Sequence, residues 1–222
     1  MSVAEAITRL QAQLNGRVIT SRDPAYDRAR AVFNGAVDRH PAAIAQPATA
    51  AEVARAVTLT RDHGLELAVR GGGHSGPGYG VTEGGIVLDL TRLRGLTVDV
   101  DGRTAWAQTG LTAGEYTAAL AEHGLVTGFG DTGSVGIGGL TLGGGMGFLS
   151  RRYGLTVDNL LAARWSPLMA RSSRSTPSTT RTCSGRSVAA AAISGSPPPY
   201  GSAPTPWRRW SAACSCSRPR PR

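Results

Sequence analysis

Residues 70–80 read R-G-G-G-H-S-G-P-G-Y-G, in which six of the eleven residues are glycine and one histidine, His74, stands among them. Glycine lets a backbone take positive φ and approach a ligand closely. Consecutive bare N–H groups in such a loop form a concavity suited to phosphate oxygens. The stretch therefore reads as a phosphate cradle that presents one imidazole to whatever the phosphates carry. Leu65 to Val69, just ahead of it, is a short apolar run expected to be a buried strand. Gly85 to Leu90, just behind it, is expected to be another.

Working outward, Val3, Ile7, Leu10 and Leu14 have helical spacing, and that helix is expected to end before Gly16. Arg17 to Thr20 is a possible short strand. Thr49-Ala-Ala-Glu52 has the form of a capping box opening a helix that ends near Gly64, and Thr112-Ala-Gly-Glu115 repeats the form for a helix ending at Gly124. Leu96 to Val100, Asp101-Gly102 and Arg103 to Gln108 suggest a hairpin, because Asp-Gly favours a two-residue turn. A second glycine-rich stretch, G-F-G-D-T-G-S-V-G-I-G-G-L-T-L-G-G-G-M-G, covers 128–147. The fold class expected is α+β, with short mixed strands and two glycine loops.

The chain has 222 residues and a formal net charge of +9, but that charge is unevenly placed. Residues 1–163 carry 14 Arg and all 15 acidic residues, and residues 164–222 carry 10 Arg and no acid. There is no Lys. All three cysteines and 9 of the 13 prolines also lie in the second part. The first part has an ordinary globular composition, and the second does not. No basic segment followed by an apolar core opens the chain, and no apolar run approaches the roughly 20 residues that span a membrane. A cytoplasmic location without membrane partners is the default expectation. Cys214-Ser-Cys216 is too little for a zinc site, and no metal is expected.

Two phosphate-binding fingerprints can be tested by spacing. Gly71-x-Gly73-x-x-Gly76 matches the letters of a dinucleotide fingerprint, but Pro77-Gly78-Tyr79-Gly80 is a poor helix start where that motif requires a helix. A P-loop needs a lysine, which this chain lacks. Two glycine loops around one ligand fit a long cofactor with a pyrophosphate.

Several stretches carry a family resemblance: E-L-A-V-R-G-G-G-H-S-G-P-G-Y-G with G-I-V-L-D-L-T-R-L, W-A-Q-T-G-L-T-A-G-E-Y, V-G-I-G-G-L-T-L-G-G-G-M-G, and L-S-R-R-Y-G-L-T-V-D-N-L-L. In this order they resemble the FAD-binding, PCMH-type domain of vanillyl-alcohol-oxidase-like enzymes, in the berberine-bridge-enzyme-like branch of FAD-linked oxidases. The resemblance covers about residues 15–163. It implies a domain of two α/β subdomains that binds FAD, here incomplete. The division expected is a helix and lead-in over 1–35, the partial FAD-binding domain over 36–163, and a basic tail over 164–222.

The resemblance implies that His74 bonds covalently to the 8α-methyl of the flavin. The chemistry is sound, because neutral imidazole is a nucleophile. The cofactor contacts it implies are Arg70, Gly71, Gly72, Gly73, His74, Ser75 and Gly80 from the first loop, with Gly110 after the hairpin. From the second loop it implies Thr132, Gly133, Ser134, Val135, Gly138, Gly139, Leu142 and Gly143. Some relatives add a cysteinyl link at the position of Thr132; this chain has no cysteine there. Ser134 and Val135 are expected to aim backbone N–H groups at the pyrophosphate. Arg70 is expected either to meet phosphate or to end its strand in a surface ion pair. Tyr153, Asp158 and Asn159 are expected mainly to fix the turn after the second loop.

The resemblance stops after Leu160-Leu161-Ala162-Ala163, where the family continues with a stretch like D-L-F-W-A-x-R-G-G-G-G-N-F-G-V. Thr182-Cys-Ser-Gly-Arg-Ser-Val188 can be encoded so that a one-base shift gives D-L-F-W-A-V-R. Residues 189–202 then give G-G-G-G-N-F-G-V-A-T-A-V-R-F. A one-base frameshift near codon 163 in a GC-rich gene explains the Arg, Ser, Pro and Ala bias and the missing acids. The tail is then expected to be off-frame and disordered. The contrasting reading, a genuine basic tail, would attract nucleic acid nonspecifically; no nucleic-acid partner is expected.

The function expected is FAD-dependent oxidation. A hydride leaves an alcohol, sugar or amine-type small molecule, and the electrons pass to oxygen or another acceptor. The alternative is an inactive, frameshifted fragment of such an enzyme. The catalytic base would lie beyond the point where the frame is lost, and none is named.

Overall fold

Seven elements build the first half of the chain: α1 (Val3–Gln13), β1 (Arg17–Ile19), α2 (Tyr26–Arg30), β2 (Ala43–Gln46), α3 (Ala50–Asp62), β3 (Leu67–Arg70) and β4 (Ile86–Asp89). The computed structural model describes residues 2–167 together with 173–175, 187–188 and 192–193. The first sheet has the order β1-β2-β4-β3, with β4 parallel to both of its neighbours and β1 antiparallel to β2.

Strand side chains alternate between faces, and the cores follow that period. Ala43, Ala45, Ile86 and Leu88 join Ala6, Leu10, Val53 and Val57 from α1 and α3 in one core. Ile44, Val87 and Ala68 meet Ile19, Tyr26 and Val81 on the opposite face. All four β4 residues are buried, as expected for a strand covered on both sides. Residues 1–35, read as a lead-in, thus contribute a strand to the sheet and a helix to its core.

Parallel neighbours require a crossover, usually a helix. Between β3 and β4 that crossover is the glycine-rich segment 71–85. The loop is therefore anchored by a strand at each end.

The second half contains β5 (Leu96–Asp99), β6 (Thr104–Gln108), α4 (Ala113–Ala121), α5 (Ile137–Leu142), α6 (Ser150–Tyr153) and a 3-10 turn over Thr156–Asn159. Its core gathers Ala105, Ala107, Tyr116, Leu120, Phe129 and Ile137. The expected hairpin forms, with Asp99 opposite Thr104. Its turn differs from the expected two-residue form. Four residues, 100–103, connect the strands, and Arg103 takes the positive φ of 49°. Asp99 Oδ1 accepts from the Gly102 N–H, so the local side chain sets the wider turn.

Four short strands follow: β7 (Ala163–Pro167), β8 (Ser173–Ser175), β9 (Ser187–Val188) and β10 (Ala192–Ile193). β8 and β9 pair antiparallel with β7, and β10 pairs antiparallel with β6. The expectation of a disordered tail falls mostly on residues outside the described ones. Ladders use backbone groups that every residue except proline supplies in full. The rest of that tail, including the three cysteines, lies outside the described residues.

Candidate cofactor site

Arg70 and Asp89 end adjacent strands opposite one another. Their side chains form a buried ion pair, Nη2 to Oδ2 at 2.8 Å, with 6% and 5% of each exposed. Gln46 Nε2 donates to the same carboxylate at 3.0 Å, and the Thr91 hydroxyl donates to its other oxygen at 2.6 Å. Arg70 also donates to the carbonyls of Ala29, within α2, and Ala31, just past it. Burial pushes the Asp89 carboxyl up, but the Arg70 guanidinium and the hydrogen bonds of Thr91 and Gln46 outweigh it. The carboxyl therefore sits below the usual carboxylate range. The ion pair expected at the strand end forms, but it is buried rather than at the surface, and the guanidinium also donates to backbone carbonyls. Its role is to clamp the mouth of the loop. The Arg70 stem also packs near Gly73 and Gly80 and lines the adjoining cavity.

Beyond Arg70 the loop turns sharply, with Gly73 at φ 72°, a conformation that disfavours side chains. At Gly72 the second glycine loop arrives. A Cβ on Gly72 would lie 2.3 Å from the Gly136 nitrogen, and one on Gly136 would lie 2.3 Å from the Gly72 nitrogen. The two loops therefore touch backbone to backbone, which side chains at either position would prevent. One cavity of about 470 Å³ opens beside this contact, lined from the first loop by Gly71 to Ser75 and Gly80, and from the second by Val135, Gly136, Gly139 and Gly143. A second, of about 670 Å³, shares Gly71 to His74 and reaches Phe33, Arg28 and Ser134. Both volumes fall within the roughly 300–1,000 Å³ of cofactor sites.

His74 stands on the wall of both cavities. Its Nε2 lies 3.1 Å from the Ser134 hydroxyl across the junction of the loops. Phe33 stacks on its ring, with centroids 4.3 Å apart and planes at 20°. The sequence-expected His74 thus sits at the meeting point of both loops. Phe33 was not anticipated; an aromatic residue in a lead-in segment carries no local signal of its histidine partner. Gly136, Tyr79, Gly145 and Met146 also line the smaller cavity without having been expected as contacts.

Several expected contacts have other roles. Gly110 permits close packing: a Cβ there would lie 2.2 Å from the Leu90 carbonyl oxygen. Gly138 does the same against the Thr109 side chain, whereas Gly133 lies against Gly114 at ordinary contact distance. The Thr132 hydroxyl donates to Asp131, and Leu142 is half exposed. None of these five is among the residues lining the two cavities. At Gly110 and Gly138 the missing side chain admits a close approach by another part of the chain. Ser75 lines the smaller cavity and accepts from the Tyr79 N–H to close the first loop. The Val135 N–H donates to the Thr132 carbonyl at 3.4 Å, so it is not free for pyrophosphate, although Val135 remains on the cavity wall. Ser134 contributes its hydroxyl to His74.

Behind the second loop, the Thr156 hydroxyl donates to the carbonyls of Gly128 and Gly145. Asp158 accepts from the Leu155 N–H, and Asn159 donates to the carbonyls of Tyr153 and Leu155. This turn holds the loop in place, as expected for Asp158 and Asn159. A bare-backbone cradle, a nucleophilic imidazole at its edge and two adjoining cavities fit the FAD that the resemblance implies.

Comparison with known proteins agrees. Residues 41–165 match the family model described as FAD binding domain. (R)-6-hydroxynicotine oxidase of Paenarthrobacter nicotinovorans is 38% identical over 150 residues, covering 68% of this chain and 33% of that protein. Berberine bridge enzyme-like 27 of Arabidopsis thaliana is 35% identical over 164 residues, 67% of this chain and 30% of that protein. The crystal structure of 6-hydroxy-D-nicotine oxidase from Arthrobacter nicotinovorans superposes with a TM-score of 0.72 at 35% identity, covering 73% of this chain and 36% of that one. Glucooligosaccharide oxidase from Acremonium strictum, whose structure is described as carrying 6-S-cysteinyl, 8α-N1-histidyl FAD, gives a TM-score of 0.78 at 28% identity, over 86% of this chain and 42% of that one. The chain spans about a third of the length of the curated relatives it matches. Over that span the loops, the topology and the sequence all agree, and the chain belongs to the FAD-binding domain family.

Proposed function

We propose that this chain is the cofactor-holding part of an FAD-dependent oxidoreductase, tethering its flavin through His74. The observation that carries the reading is the position of His74, on the wall of two cavities where the two glycine loops meet. The reaction class is removal of a hydride from an alcohol, sugar or amine carbon of a small molecule, with electrons passed on to oxygen or another acceptor. FAD supplies the two-electron chemistry when bound. The chain's own residues hold and orient it. The bare backbone at Gly71 to Gly73 and Gly136 admits the phosphates, the Arg70–Asp89 clamp fixes the loop mouth, and His74 supplies the nucleophilic nitrogen. The base that takes the substrate proton is expected from a substrate domain outside these residues.

Acid precipitation of the purified full chain, loaded with FAD, tests the tether. The pellet should retain flavin absorbance, and His74→Ala should release all of it to the supernatant while still binding FAD before acid. A colourless wild-type pellet would overturn the tether, and failure to bind FAD at all would overturn the cofactor reading.

A further inference from the structure

A tethering histidine must present one nitrogen with a free lone pair. Neutral imidazole has one N–H and one lone pair, so the proton on one nitrogen decides which other nitrogen can react. In this structure Nε2 of His74 is engaged by the Ser134 hydroxyl at 3.1 Å. Among the described residues no hydrogen-bond partner is shown for Nδ1. If Ser134 donated to Nε2, the proton would sit on Nδ1 and neither nitrogen would keep a free lone pair. If Nε2–H donates to Ser134, the Nδ1 lone pair is free. Only the second arrangement is reactive.

The ring plane is fixed by a different residue. Phe33 stacks nearly parallel to the imidazole, and its N–H donates to the Gly73 carbonyl at 3.1 Å, tying the aromatic residue to the loop that carries His74. Phe33 is nonetheless 74% exposed, so burial in a core is not what holds it there. Stacked aromatic pairs of this kind contribute about 0.5–1.5 kcal/mol beyond area burial.

We propose that Ser134 and Phe33 are positioning residues for His74. Ser134 keeps the proton on Nε2, and Phe33 holds the ring plane, so that the Nδ1 lone pair stays available where His74 lines the two cavities. This rests on the tether proposed above. In the attachment, a bond forms between Nδ1 and the 8α carbon. The imidazole proton and one methyl hydrogen leave as protons. The ring system ends two electrons reduced, and oxygen or a comparable two-electron acceptor takes those electrons up.

Nitrogen NMR of histidine side chains in the full chain, purified without FAD, reads the first part directly. The His74 signals, assigned by their loss in His74→Ala, should show the Nε2–H form in the wild type. They should show a mixture of both forms in Ser134→Ala, with the wild-type pattern recovered in Ser134→Thr. Added FAD should then attach covalently about 10-fold or more slowly to Ser134→Ala, in line with other partners that orient a reactive imidazole. The rates are compared at equal noncovalent FAD occupancy, and Ser134→Thr should recover the wild-type rate. Phe33→Leu should slow attachment without shifting the proton, and Phe33→Tyr should restore it. A wild-type ring with no preference between its nitrogens, or Ser134→Ala with wild-type proton placement and rate, overturns the role of Ser134. A wild-type attachment rate in Phe33→Leu overturns the role of Phe33. A wild type with the Nε2–H form but no covalent flavin instead contradicts the tether and leaves the hydrogen bond standing.

Discussion

Arg70 and Asp89 show what a single residue pair does for this site. Each is nearly fully buried, and each is the other's main charge partner. Removing one side of a buried pair leaves an uncompensated charge and typically costs about 3–5 kcal/mol. Asp89→Ala should therefore lower the unfolding free energy at pH 7 by about that amount in a denaturant titration; an unchanged midpoint would contradict the clamp. The folded carboxyl lies below its ordinary range, so its contribution is fully present above the unfolded value of about 4 and fades as pH falls through the lower folded value. The wild type and variant should converge in stability below about pH 4. His74 was legible in the sequence because its meaning is local: one imidazole in a run of glycines. The ion pair of Arg70 is expected from its place at the strand end, but its partner and its burial are not legible, because Asp89 lies nineteen residues on and no spacing rule connects the ends of two parallel strands. At Gly110 and Gly138 the letter alone does not say whether a ligand or another part of the chain approaches closely.

Among the elements, the two capping boxes look alike in sequence but do different work. At α4 the box closes reciprocally: Thr112 accepts from the Glu115 N–H, and Glu115 accepts from the Thr112 N–H. At α3 only half of it forms. Thr49 accepts from the Glu52 N–H, but the Glu52 carboxylate accepts instead from the N–H groups of Ala48 and of Gly16, thirty-six residues away. Glu52 is 1% exposed, so it is a buried tie between the turn after α1 and the start of α3. Hydrogen bonds to charged groups contribute about 1.5–3 kcal/mol each, against about 1 kcal/mol for a cap. Glu52→Ala should therefore cost at least twice what Glu115→Ala costs in thermal or denaturant unfolding. Equal effects would show that both glutamates act only as caps. Strands β3 and β4 were legible from their apolar runs. β2 was not, because Ala43-Ile-Ala-Gln46 is rich in alanine, a poor strand former, and lies between Pro41 and Pro47. Tertiary pairing with β1 and β4 overrides that weak local preference.

For the whole molecule, the cores on the two faces of the first sheet and the core of the second half lie on either side of the contact between the glycine loops. The family match ends at residue 165, seven residues after the last acid, Asp158. Shifting the frame by one base lets residues 164–170 be read as T-V-V-T-A-D-G, a strand followed by an Asp-Gly turn. The structure places β7 at 163–167, over the stretch that the shifted frame reads as a strand. Resequencing the gene around codon 163 should find a one-base shift relative to an intact oxidase frame. An intact gene encoding the basic tail would contradict the frameshift. Restoring the frame should recover a longer chain that oxidises small alcohols, sugars or amines, with no such turnover by the chain as written. The central claim, that this chain holds flavin through His74, is tested most directly by intact-mass and peptide analysis of the 222-residue chain purified with FAD. The account predicts an added mass of one FAD on the peptide bearing His74. An unmodified chain, or flavin attached to any other residue, would contradict it.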